Sequence, residues 1–436
     1  MKKTLILLLA AGLTACTLQK TWDGVPIGKP ISVTFPTPTE SIASVALTAA
    51  QKEGVKAGNE LAFRLLDQLY DGESFLCSPL SLQCALGMTA NGASGETLQE
   101  ILDILGYGTE GVDAMNAYHK TLLEQLPAVD LKVTLKLTDA LLVNDLFPLL
   151  PGFQETVQDH YYAAVENDPF DNLEKTTARV NEWASRNTDG FLQNILQPSD
   201  VAPNTAAYLM NALYFKAKWA GSEDSPMFQE KYTKEGKFTT ADGSVRQVSM
   251  MHHVDGNYYR YAEMDGYTVL ALPFGDWKYY MYFLLPDGND LKAFTRELRS
   301  VSWNDVLGSF KQDAEVYVSL PKFDLENRYS LKETLQELGI RRAFVDDGSA
   351  QFDRMFAPNG SGAWFWINEV YQSARISVAE WGTEAASVTV VDMVGPTSPG
   401  PGEEPKRLFF NADHPFVFLV GEATSGTILF AGAYNG

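Results

Sequence analysis

The chain has 436 residues, 45% hydrophobic and 12% aromatic, so it carries ample apolar surface for a large core and is not an intrinsically disordered protein. Its formal net charge of −21 argues against nucleic acid as a partner, because phosphate recognition needs a basic footprint. Of its three cysteines only Cys77 and Cys84 lie beyond the first sixteen residues, and neither a CxxC pair nor a metal-ligand spacing is present.

Residues 1–16 read as a targeting segment. Lys2 and Lys3 give a positive start, and Thr4 to Gly12 form an apolar stretch too short to span a membrane. Leu13-Thr14-Ala15-Cys16 resembles a bacterial lipobox, which implies a lipid on Cys16 as the new N-terminus; the alternative is an ordinary secretion signal with an incidental cysteine. Thr17, rather than an aspartate, points that resemblance to the outer membrane or cell surface. Residues 17–50, with Pro26, Pro30, Pro36 and Pro38 among Thr, Ser and Gly, read as a tether, and 51–436 as the folded domain.

From Gly58, leucines at 61, 65, 66 and 69 give helical spacing. A second helix is expected after Ser78-Pro79, where a first-turn proline loses no hydrogen bond. Helices follow over Thr97–Leu105, Met115–Leu126, Phe153–Tyr162 and Thr176–Arg186, with a strand over Val133–Val143 between them. Ala206–Phe215 is an almost continuous apolar run suited to a central buried strand. Strands then dominate, at Val245–Met250, Tyr258–Tyr261, Val269–Leu272, Tyr280–Leu285, Val316–Leu320, Phe416–Val420 and Ile428–Ala431, with one late helix over Leu331–Leu338 capped by Gly339. Helices first and strands later define an α+β class. Trp364-Phe365-Trp366 reads as a strand end, Asp346-Asp347 as a solvated turn, and Cys77 and Cys84 as a disulfide or as two small buried hydrophobes.

No nucleophile elbow, zinc-protease, P-loop or dinucleotide motif is present, so the chain is not read as an enzyme. Adjacent His252 and His253 point to opposite faces in a strand and cannot share a metal. The informative stretch is Glu380-Trp381-Gly382-Thr383-Glu384-Ala385-Ala386-Ser387-Val388-Thr389. As a strand it places the compact Thr383, Ala385, Ser387 and Thr389 on one face and Glu384, Ala386 and Val388 on the other, with Gly382 as a pivot.

That stretch resembles the hinge of the reactive-centre loop of serpins. Asn181, Trp183, Thr188 and Gly190 resemble the family's N-x-W…T-x-G signature, and Asn211 to Lys216 with Trp219 its N-A-x-Y-F-K-x-x-W strand. Ser78-Pro79-Leu80-Ser81, Gly95-Glu96-Thr97, Leu320-Pro321-Lys322-Phe323 and Asp413-His414-Pro415-Phe416 match further motifs, in family order from about residue 58 to 434. The resemblance implies helices packed on a large mixed central sheet with further sheets and an exposed reactive-centre loop. It implies an irreversible suicide inhibitor of serine, and also cysteine, proteases, whose central sheet is one strand short. The loop is cleaved, inserts as a strand and carries the acylated protease on the order of 50 Å over about 15 residues. No cofactor or metal is implied; a target protease is the partner, and a monomer is expected.

By the same resemblance Ser78, Ser81, Asn211 and Gln372 form a polar latch that opens the sheet, with Trp219 at its top and His414 beside it. Counting from Glu380 puts the scissile bond at Pro396, with Met393, Val394 and Thr397 as neighbouring candidates. No Lys or Arg lies between Arg375 and Lys406, which favours elastase-like or subtilisin-like targets over trypsin-like ones. The alternative is a non-inhibitory member, a binding module cleaved as a substrate; Thr383 and Ala385 lack the charge or bulk that would block insertion.

Overall fold

The computed structural model describes residues 20–22, 25–28, 30–33, 37–201, 205–221, 226–357, 364–383 and 406–436. A short hairpin of β1 (Lys20–Trp22) and β2 (Val25–Gly28) comes first. The chain then enters a helical half: α1 (Ala49–Leu69), β3 (Phe75–Cys77), α2 (Pro79–Gly92), α3 (Gly95–Leu105) and α4 (Gly111–Gln125). Local sequence fixes these ends. Thr48 and Gln51 form a reciprocal capping box at the start of α1. The Ser78 hydroxyl accepts from Ser81 N–H with Pro79 at the first helical position, and Gly106 ends α3 in the left-handed conformation.

β4 (Thr134–Asn144), α5 (Pro151–Tyr161), β5 (Ala164–Asp168), α6 (Leu173–Asn187) and β6 (Ala207–Lys216) follow. The strand-rich half contains β7 (Lys234–Thr239), β8 (Val245–Asn257), β9 (Arg260–Met264), β10 (Tyr267–Phe274) and β11 (Tyr279–Pro286). After α7 (Leu291–Leu298) and α8 (Trp303–Gly308) come β12 (Ala314–Pro321), β13 (Phe323–Ser330), α9 (Lys332–Leu338) and β14 (Tyr371–Val378). β15 (Lys406–Asn411), β16 (Phe416–Glu422) and β17 (Ile428–Tyr434) complete the chain.

The α+β class stands. β16 and β17, buried along their whole length, lie inside a six-stranded sheet ordered β3-β17-β16-β11-β10-β9, and a second sheet runs β15-β12-β8-β7. The remaining five strands fall into two groups, β5-β4-β6 and β13-β14, and α6 packs against β4 and β6. Gly339 caps α9 as expected, with φ at 128°.

Two local expectations are corrected, and an alternative left open is decided. The described part of the 17–50 tether is docked on the domain: Ile27 and Ile31 are buried, Ile31 packs with Val180, Trp183 and Ala184, and Arg186 donates to its carbonyl at 3.2 Å. Trp364-Phe365-Trp366 is not in a strand; Phe365 stacks on Phe356 at 4.3 Å, and the Trp364 indole donates to Asp346 at 2.9 Å. Cys77 and Cys84 are both free and buried, which settles the disulfide question in favour of packing. Among the described residues no group of His, Cys, Asp or Glu could hold a metal ion, and no helix is long and apolar enough to cross a membrane.

Candidate functional site

β6 and β14 both run toward the same end of the molecule, where the chain after β14 meets the chain after β6. No ladder joins the two strands among the described residues. Parallel neighbours without a shared ladder form a seam through the central sheet, with a row of backbone donors and acceptors on each side.

The top of the seam is built by a tight turn. Ala379 and Gly382 exchange backbone hydrogen bonds at 3.0 and 3.1 Å, so Glu380 and Trp381 form a two-residue hairpin loop. Thr383, 1% exposed, then turns onto the other strand: its N–H donates to the Ala217 carbonyl at 2.9 Å, and its hydroxyl accepts from Ala217 N–H at 3.1 Å. Gly382 is required here on two counts. Its φ is 128°, and a Cβ would stand 2.0 Å from the Ala217 carbonyl oxygen. Trp219 roofs the turn, stacked on Phe274 at 4.4 Å and donating its indole N–H to the Ala379 carbonyl at 2.9 Å.

Glu380, 3% exposed, accepts from Thr233 at 2.7 Å and pairs with Lys322 Nζ at 2.8 Å. Burial pushes its carboxyl up, but the hydrogen bonds from Lys322 and Thr233 outweigh that, and the net direction is below the ordinary glutamate value. This pair locks the turn to β12, β13 and the chain before β7.

The expected latch is only partly assembled. Gln372 grips Ser78 with both ends of its amide: Ser78 N–H donates to Oε1 at 3.1 Å, and Nε2 donates to the Ser78 carbonyl at 2.9 Å. The Ser78 hydroxyl donates to Leu429 O at 2.9 Å and caps Ser81 N–H, so Ser81 joins through its backbone. Asn211 is not in this latch; its amide donates to Asp139 Oδ1 at 2.7 Å. Asp139 is fully buried, its Oδ2 has no hydrogen-bond partner, and burial pushes its carboxyl up to about 7 against the lowering effect of Asn211. Sequence reasoning missed Asp139, whose only signal was one acid inside an apolar strand. His414 contacts the Pro286 carbonyl at 2.7 Å and Asp413 at 2.9 Å, packing between the end of β11 and the start of β16. His252 and His253 part as expected, to Ser319 and Tyr259.

The other hinge residues Glu384, Ala385, Ala386, Ser387 and Thr389, the scissile candidates Met393, Val394, Pro396 and Thr397, and Cys16 lie outside the described residues.

Comparison with known proteins agrees with this geometry. The family model for "Serpin (serine protease inhibitor)" matches residues 56–436. An uncharacterised serpin-like protein of Thermococcus kodakarensis is 30% identical, over 88% of this chain and 85% of its own length. The leukocyte elastase inhibitor of Xenopus laevis is 28% identical over 86% of this chain and 96% of its own. Among solved structures, the thermophilic serpin tengpin in its native state superposes with a TM-score of 0.79 at 25% identity, over 94% of this chain and all of its own. With the family model covering most of the chain and the seam and hinge turn lying where the motifs put them, this chain belongs to the serpin family.

Proposed function

We propose that this protein is an irreversible suicide inhibitor of serine proteases that traps the acyl-enzyme by inserting its cleaved loop between β6 and β14. The observation that carries this reading is the register set at the top of the seam. Ala379 pairs with Gly382, and Lys218 pairs with Gly382 from the other side. Continuing both pairings runs the next residues down the seam, antiparallel to both strands. Ala385 then falls between Ile376 and Phe215, Ser387 between Ala374 and Leu213, and Thr389 between Gln372 and Asn211. Ile376, Ala374 and Gln372 are buried, so the compact residues are the ones sent inward. Glu384 falls beside Lys216 on the exposed side of β6.

The chemistry requires only that the loop be cut while still esterified. A protease serine attacks the scissile carbonyl, the amine of the following residue leaves with a proton, and the upstream residue stays on the serine as an ester. Once cut, the loop is free to zip. Asp392 would reach Tyr208 at the bottom of β6, about 30 Å below Thr383 at roughly 3.3 Å per residue. Dragging the protease along that path disturbs the oxyanion hole on which deacylation depends.

The absence of Lys and Arg from 376–405 supports elastase-like or subtilisin-like targets, with cysteine proteases as a second class, and the Xenopus relative is named for an elastase. A monomer suffices for this mechanism. The lipobox-like Leu13–Cys16 supports a lipid anchor on Cys16 and action at the outer membrane or cell surface.

The test is denaturing electrophoresis of the domain mixed with pancreatic elastase, neutrophil elastase, subtilisin, trypsin and papain, with mass spectrometry of the released C-terminal peptide. A band at the summed mass is expected with the elastases or subtilisin, and the peptide identifies the scissile residue. Clean loop cleavage with no such band for every protease overturns the inhibitory reading.

A further inference from the structure

The bottom of the seam is closed by a segment of different origin from the hinge. The connection from α6 to β6 begins as a rigid strap. Asn181 exchanges two hydrogen bonds with the Leu196 backbone, both at 2.9 Å, and the Thr188 hydroxyl accepts from Leu192 N–H at 2.9 Å. The strap ends in the short turn Pro198–Asp200, where Asp200 accepts from Gln197 N–H at 2.7 Å.

From there one residue reaches three strands. The Asp200 carbonyl accepts from Tyr208 on β6 at 3.2 Å. Its carboxylate accepts from Tyr371 on β14 at 3.3 Å and from the Arg328 guanidinium on β13. Arg328 also donates to the Ile195 carbonyl at 3.0 Å and lies 4.4 Å from the centre of the Tyr371 ring. Between strap and sheet is a cavity of about 360 Å³, lined by Leu192, Gln193, Ile195, Arg328 and Ser373 among others. The Ser373 hydroxyl beside it is buried without a hydrogen-bond partner. The strap is therefore held to the far side of the seam by side-chain polar contacts across a loosely packed interface.

We infer that Asp200 is a rivet that joins the two halves of the central sheet at the foot of the seam, so that its release sets how readily the seam opens. The top of the seam is where a strand enters; the foot must yield for the strand to reach Tyr208 and Tyr371. Tyr208 of β6 and Tyr371 of β14 both bond Asp200 at this end, and loss of either bond leaves the strap's own Asn181 and Thr188 anchors in place. The inference rests on the insertion reading for its consequence in inhibition, but the joining of the two sheet halves can be measured without a protease.

The experiment is amide hydrogen exchange on the intact protein and on Asp200→Ala and Tyr371→Phe, with stoichiometry of inhibition measured in parallel. Tyr371→Phe keeps the ring under Arg328 and the Asp200–Gln197 turn, so it tests the bridge without disturbing the strap. The expected result is roughly tenfold faster exchange of β6 and β14 amides in both variants, with helical amides unchanged. If only strap amides 192–201 exchange faster, or β6 and β14 exchange at wild-type rates in both variants, the rivet is overturned. If the wild type forms no protease complex while β6 and β14 still loosen in the variants, the rivet stands and the inhibitory reading fails.

Discussion

At the scale of single residues, Asp139 carries the largest consequence. Its carboxyl is buried under the sheet with one hydrogen bond, from Asn211, and faces the buried Cys84 thiol of α2 and the Tyr161 hydroxyl of α5. Burial outweighs the lowering effect of the Asn211 hydrogen bond and pushes the carboxyl up to about 7 when folded. Because the folded value lies above the ordinary unfolded value of about 3.9, the protonated form favours folding. That contribution is complete below about pH 4 and is lost as pH rises through about 7. Asp139→Asn keeps an acceptor for Asn211 and removes the titration. The variant is expected to gain on the wild type between pH 5 and pH 8, by about 3 kcal/mol at most. Urea unfolding at the two pH values checks this; an unchanged difference means the carboxyl does not titrate in that range.

At the scale of elements, the hinge turn shows what alternation can and cannot specify. The period-two run of small residues from Thr383 marks a segment able to be buried on one face, and the structure places its first member, Thr383, in the seam. A charged side chain at that position could not enter without leaving a charge buried and unpaired. Thr383→Arg should therefore leave loop cleavage intact and abolish the protease-sized band shift on denaturing gels. Survival of the complex in that variant would mean that the segment does not insert through this point. The polar latch was less legible. Ser78 and Gln372 meet as expected, but Asn211 lies on β6 across the seam from Gln372 and finds Asp139 on its paired strand instead. A motif names the residues that line a sheet; the register of each strand decides which of them touch.

At the scale of the whole molecule, the protein keeps two strand edges apart in its central sheet while the next segment of chain is attached at the top between them. Filling the seam along β14 from Thr383 to Val390 would satisfy backbone groups on both sides, about eight residues' worth, at a net gain on the order of 1 kcal/mol per hydrogen bond. Loop cleavage is thus expected to raise the apparent melting temperature well above that of the intact chain, by tens of degrees. Differential scanning calorimetry before and after limited proteolysis within 390–397 reads this directly. Equal melting temperatures for the two forms would mean that the cut loop stays outside the sheet.

The sequence by itself determined the α+β class, the positions of most helices and strands, and the face of the hinge that can be buried, because each follows from periodicities of 2 and 3.6 and from capping residues within one stretch of chain. The resemblance to serpin motifs also marked Ser78, Trp219 and Gln372. Only the tertiary structure decided that the chain after β6 meets the hinge 166 residues later, that Asn211 turns to Asp139, that residues 27–31 dock on α6, and that Asp200 ties β6 to β13 and β14. These depend on which strand edges lie side by side after packing, and edge adjacency is set by long-range burial that no local pattern encodes.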